Sequence, residues 1–166
     1  ALAQALDPGD FRQTLEKIAL YKWRDESVLT GADVAACAPA SVDTETDELV
    51  AAAADGRQTD IAPLIRRLEA QGVTPVGICI AATRHFRTLH AALTDPAGAD
   101  TVLGRMRNFR ARDAMLRQAR AWDVRRTEQA LTHLVETDLT LRSSSRAPQM
   151  ALVERAMLRL AALVRG

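Results

Sequence analysis

The spacing of apolar positions along the chain describes a succession of helices. Ala1 to Leu6 reads as the end of one helix, stopped by Asp7-Pro8-Gly9. Asp10 then offers a carboxylate to the first free amides of the next, which carries Phe11, Leu15, Ile18 and Ala19 on one face and runs to about Trp23. Polar residues at 24–29 predict a loop. Thr30 caps a short helix with Asp33 in the acidic position of a capping box, and Pro39 ends it. Residues 39–46 show no periodic apolar face and form the best domain boundary.

Beyond that boundary the pattern strengthens. Residues 46–55 predict a helix that Gly56 terminates. Ile61, Leu64, Ile65 and Leu68 follow at i, i+3, i+4 and i+7, closed by Gly72 in the place of a left-handed C-terminal glycine. Thr74-Pro75 puts a cap and then a proline at the start of a helix over 75–94. That helix carries Ile78, Ala82, Phe86, Leu89 and Leu93 on one stripe, with Val76, Cys79 and Ile80 beside it. So wide a band predicts neighbours on several sides. Asp95-Pro96 breaks the helix; a weaker segment spans 99–107, and a helix over 110–121 brings Met115, Leu116 and Ala119 inward ahead of Trp122. Asp123 caps a long helix through about 142, whose buried face is expected at Leu131, Leu134, Val135 and Leu139. After a turn at 143–148, the helix over 149–164 is apolar nearly all round. Such a helix is either central to a bundle or covered by another chain. With no strand-like alternation of useful length, the fold class is all-α: a small helical piece over 1–40 followed by a five- or six-helix bundle over 45–166.

Composition agrees with a packed chain. Hydrophobic residues make up 48% and charged residues 26% of the 166 positions, which is globular and not disordered. A net charge of +1 selects no partner by bulk electrostatics. Twenty arginines stand against two lysines, Lys17 and Lys22. A genome rich in G and C produces that bias unaided, and arginine also suits interfacial ion pairs, because its planar fork binds carboxylates in pairs. Cys37 and Cys79 have no metal-ligand spacing, which fits a reduced, cytoplasmic protein. No stretch approaches a membrane span. The opening at Ala1, already in a helical pattern, suggests a piece of a longer protein.

Candidate chemistry is sparse. His85 and His90 are five apart, which turns them roughly 140° from each other around a helix and lacks the i, i+4 spacing with an intervening acid that a zinc helix uses. His133 sits near Glu136 and reads as solvated. Glu45, Asp47 and Glu48 fit a helix N-terminus, where the dipole favours carboxylates. Nothing assembles an acid, a base and a nucleophile, so no catalytic residue, cofactor site or metal site is assigned. Arg105, Arg107, Arg110 and Arg112, followed by Arg117, Arg120, Arg125 and Arg126, read either as a phosphate-contacting surface or as a solvated face with interfacial ion pairs. The modest net charge favours the second reading.

Three stretches, in order, resemble the delta subunit of the bacterial DNA polymerase III clamp loader. Leu15-Glu16-Lys17-Ile18-Ala19-Leu20-Tyr21 is similar to the run that ends that family's middle, lid-like domain. Leu64-Ile65-Arg66-Arg67-Leu68-Glu69-Ala70-Gln71-Gly72-Val73-Thr74-Pro75, with Arg84-His85-Phe86-Arg87, looks like a helix pair of its C-terminal domain. Arg112 and Leu116 to Trp122, leading into Leu131 to Arg142, resemble the pair before its final helix. No single motif is specific; the ordered set, spread over residues 10–164, is more so.

The resemblance implies a non-catalytic module. Residues 1–40 would be the end of the lid and 45–166 the helical collar that joins delta to the delta-prime and tau or gamma subunits. The sliding clamp would be reached only through an N-terminal AAA+-like domain that this chain does not contain, within a DNA polymerase III, nucleotidyltransferase complex. Possible primer–template contact falls on Arg142 and Arg146. The turn around them departs from the family in lacking an aromatic residue, which puts base stacking there in doubt. Met150, Val153, Met157, Leu160 and Val164 of the last helix are the expected subunit interface. Two other classes compete: a regulatory or ligand-binding helical bundle acting as a homodimer, which needs an internal cavity, and a small enzyme with an unrecognised site.

Overall fold

The computed structural model describes residues 8–23, 25, 27–37, 42–104, 106, 109–144 and 146–164. The described residues form helices joined by turns and loops, with no strand among them. The chain divides into two compact units, 1–41 and 42–166.

In the first unit, α1 (Pro8–Tyr21) packs on α2 (Gly31–Cys37). The expected stop at Pro8-Gly9 is instead the start of α1, and Asp10 lies inside the helix and not at its cap. Proline is accepted there because its missing N–H is unused in a first turn. The expected helix at Ala1–Leu6, and Pro39 as terminator, lie outside the described residues. The expected inward face also differs: Leu15 and Ala19 are exposed, whereas Thr14 is buried. The capping box forms as read. Thr30 N–H donates to Asp33 Oδ2 at 2.8 Å, and Asp33 N–H donates back to Thr30 Oγ1 at 3.3 Å. Lys22 Nζ ties the loop together, donating to Asp25 at 2.8 Å and lying 3.6 Å from Asp33. That hydrogen bond holds the Asp25 carboxyl well below the usual carboxylate range.

Among the described residues the second unit is a bundle of six substantial helices and one short one: α3 (Val42–Ala54), α4 (Gln58–Ala70), α5 (Pro75–Thr94), α6 (Ala99–Gly104), α7 (Phe109–Ala121), α8 (Val124–Leu141) and α9 (Gln149–Val164). Helix α3 begins four residues before its expected start, so part of the expected linker is helical. Its buried face opens with polar residues, Glu45 and Thr46, before Leu49 and Val50. Glu45 is accommodated because Gln71 Nε2 donates to it at 2.8 Å and Arg67 lies 4.0 Å away. A search for apolar periodicity overlooks such a face.

Side-chain caps open α5 and α8. Thr74 Oγ1 accepts from Gly77 N–H at 3.2 Å, and Asp123 Oδ1 accepts from Arg126 N–H at 2.7 Å. Helix α3 ends at Gly56 (φ +73°), where Arg57 N–H bonds back to Ala52 O at 2.9 Å and Gly56 N–H to Ala53 O at 3.2 Å. A Cβ on Gly56 would lie 3.3 Å from Val164 Cβ, so this turn is also the seat of the last helix.

Helix α9 is the centre of the bundle, packing against α8, α4, α3 and α5. Val153, Ala156, Met157, Leu160 and Ala161 are buried along it. Helices α5 and α8 pack along each other in antiparallel sense: Cys79 Sγ reaches Leu134 O at 3.5 Å, while His90, eleven residues later, lies 3.6 Å from the earlier Glu128. Phe86 meets Trp122 edge-on with ring centroids 4.9 Å apart, and Trp122 Nε1 donates to Ala54 O at 2.8 Å. An aromatic pair with its polar edge satisfied locks α3, α5 and the end of α7 together.

Candidate functional site

The expected buried face of α8 is partly wrong, and the error locates an open apolar surface. Leu134 is buried with Thr127, Ala130 and Leu141, but Val135 is 53% and Leu139 64% exposed. Across from them on α5, Ile80 is 55% exposed. These three side chains belong to a groove of about 630 Å³ between α5 and α8, to which Val102 of α6 contributes. Helix α5 lines it with Ile80, Thr83, Arg84, Arg87, Thr88 and Ala91, at i, i+3, i+4, i+7, i+8 and i+11. Helix α8 and its C-cap residue line it with Val135, Asp138, Leu139 and Arg142, at i, i+3, i+4 and i+7. Each helix thus turns a full outward stripe toward the same space.

The groove has an aliphatic floor and a basic rim. Arg142 Nε donates to Asp138 Oδ2 at 2.8 Å, which raises the guanidinium pKa further and neutralises that end. Arg84 and Arg87 are exposed and form no ion pair among the described residues. Cys79 of α5 is buried between the two helices, with its thiol pushed up to about 11 by burial and then by Asp138. A thiol held protonated in this way is no nucleophile at neutral pH.

On the other side of α5, a second groove of about 700 Å³ runs between α3 and α7, with Asp47 and Glu48 on one wall. Its inner wall holds a polar chain. Gln118, 1% exposed, donates Nε2 to Asp55 Oδ1 at 2.9 Å and accepts at Oε1 from His85 Nε2, also at 2.9 Å. Neutral His85 therefore carries its proton on Nε2. Burial holds its pKa below the ordinary value, against the upward pull of the Gln118 hydrogen bond. Gln118 and Asp55 went unread as a pair because they lie 63 residues apart.

Of the residues expected at an interface, Val153, Met157 and Leu160 are fully buried. They are corrected to core positions: α9 meets four helices of its own chain, which cover these side chains before any partner could. Met150 and Val164 are half-buried, and Leu158 is 37% exposed. Arg142 sits at the α5/α8 groove, and Arg146 is exposed in the turn before α9. His90 and His133 lie 3.6 Å from Glu128 and Glu136 respectively. Arg105 and Arg107 lie outside the described residues. No group of three metal-binding side chains occurs among the described residues, and no described helix is long and apolar enough to cross a membrane. Apolar spacing alone puts Val135 and Leu139 on the inward face of α8, whereas the packing turns Thr127 and Ala130 inward and leaves those two open.

No family model matches the sequence, and no curated protein matches it. Among solved structures, the fold is similar to that of the Bacillus subtilis DNA clamp loader delta protein (YqeN), with a TM-score of 0.68 at 17% identity. The similarity covers 93% of this chain, which spans 46% of the length of that protein. At that identity the likeness establishes a clamp-loader-like fold.

Proposed function

We propose that the chain is a non-catalytic subunit-assembly module of a replicative clamp loader, serving the loading of a sliding clamp onto primed DNA. Residues 1–40 are then the end of a lid-like domain and 45–166 the collar. Its partners are the delta-prime and tau or gamma subunits of the DNA polymerase III machinery. The observation that carries this reading is the fold likeness over 93% of the chain to a clamp loader delta protein. It is supported by the three ordered stretches that resemble delta.

Co-purification tests it. Mixed with delta-prime and tau subunits, the chain should co-elute with them in size-exclusion chromatography. A chain that stays apart as a stable homodimer overturns the reading in favour of a regulatory bundle. Primer–template contact through Arg142 and Arg146 is the finer part of the proposal. Arg142 already spends its charge on Asp138, so Arg146→Ala should weaken DNA binding by the assembled complex more than Arg142→Ala, with a shallower salt dependence. Binding unchanged across a salt series in the double variant removes DNA contact from the proposal.

A further inference from the structure

We propose that the α5/α8 groove seats an amphipathic helix of a partner protein, whose apolar stripe covers Ile80, Val135 and Leu139 and whose acidic flank meets Arg84 and Arg87. The inference rests on the assembly reading for the kind of partner expected, and adds the surface and its chemistry.

The shape of the groove selects a helix. Both walls are helices whose backbone groups are bonded internally, so they offer an incoming segment no backbone donors or acceptors. A segment buried there must satisfy its own amides, as a helix does. The lining of α5 from Ile80 to Ala91 is about 16 Å long at the helical rise per residue, which accommodates three turns.

Charge selects the flank. Three exposed aliphatic side chains lie at the floor, and two arginines one turn apart stand on the rim without carboxylate partners among the described residues. Burying the floor under a neutral or basic helix would bring those guanidinium groups toward an apolar surface uncompensated, whereas glutamates flanking the stripe would pair with them. A second copy docked by a two-fold axis would bring Arg84 and Arg87 of both copies into one interface whose lining carboxylate, Asp138, is already paired with Arg142. Nucleic acid would gain phosphate contacts but nothing from the aliphatic floor, which carries no aromatic ring for a base to stack on.

The probe is a fluorescein-labelled designed helix with leucines at i, i+4, i+7 and i+11 and glutamates on both flanks, compared with the same helix flanked by lysines. Titrated by anisotropy against the full 166-residue chain, the glutamate form should bind about tenfold tighter. The double variant Arg84→Glu, Arg87→Glu should reverse that preference. Leu139→Glu should abolish binding of either form while the circular dichroism melt stays unchanged. Equal binding of the two peptides, or none, overturns the proposal. So does a dimer of the chain that Leu139→Glu dissociates, because the occupant is then a second copy. The double arginine variant is also mixed with the clamp-loader subunits. If it assembles as well as the wild type, the docking proposal fails and the assembly reading stands. If the wild type itself does not assemble, the assembly reading fails, and the peptide titration alone judges the groove.

Discussion

Helix α9 and the outer face of the α5/α8 pair make an instructive contrast. By composition α9 is the stickier element, with Leu, Met, Val or Ala at most of its sixteen positions. The outer face of α5 and α8 is a mixture of arginine, threonine and scattered aliphatics. Yet α9 is enclosed by four helices of its own chain, while the mixed face leaves Ile80, Val135 and Leu139 more than half exposed. Apolar circumference measures how many neighbours a helix needs. It does not tell whether those neighbours come from the same chain or another.

Perturbing the two regions should separate them sharply. Leu160→Ala empties a fully buried site beneath four helices and should cost about 2–5 kcal/mol in urea unfolding. An effect below about 1 kcal/mol would mean that α9 is loosely held, and would reopen it as an interface. Gly56→Ala strains the left-handed turn on which Val164 rests and should cost about 1–2 kcal/mol in the same measurement.

The polar chain behind α5 responds to pH. Burial keeps the folded pKa of His85 below its ordinary 6.5, so the unfolded chain binds the proton more readily. The stability this group supports is whole above pH 6.5 and declines as pH falls through that value toward the folded pKa. His85→Gln should flatten the slope of urea midpoints in this window, and a slope that persists would assign it to another group. Smallest of all, Val135→Glu or Leu139→Glu should change stability by no more than about 0.5 kcal/mol, because each side chain already faces water in the isolated chain. A larger loss would show that these residues belong to the core.

Much of the architecture was legible in the chain. The caps at Thr30, Thr74 and Asp123 and the terminating glycines at 56 and 72 act within a few residues of themselves, so sequence spacing reveals them. The strong stripe of α4, Ile61 to Leu68, is buried as read. Legibility failed where a polar residue was drawn inward by a distant partner, as Glu45 was by Gln71, or Gln118 by Asp55 and His85. It failed again on α8, where Thr127 and Ala130 turn inward and aliphatic residues turn outward.

The sequence by itself therefore determined an all-helical chain, the approximate ends of most of its helices and a sparse chemical inventory, because periodicity and capping are local physics. Only the tertiary structure decided which apolar residues are covered. Exposure depends on where neighbouring helices pass, and that packing buried Val153, Met157 and Leu160 while leaving Ile80, Val135 and Leu139 open beside Arg84 and Arg87.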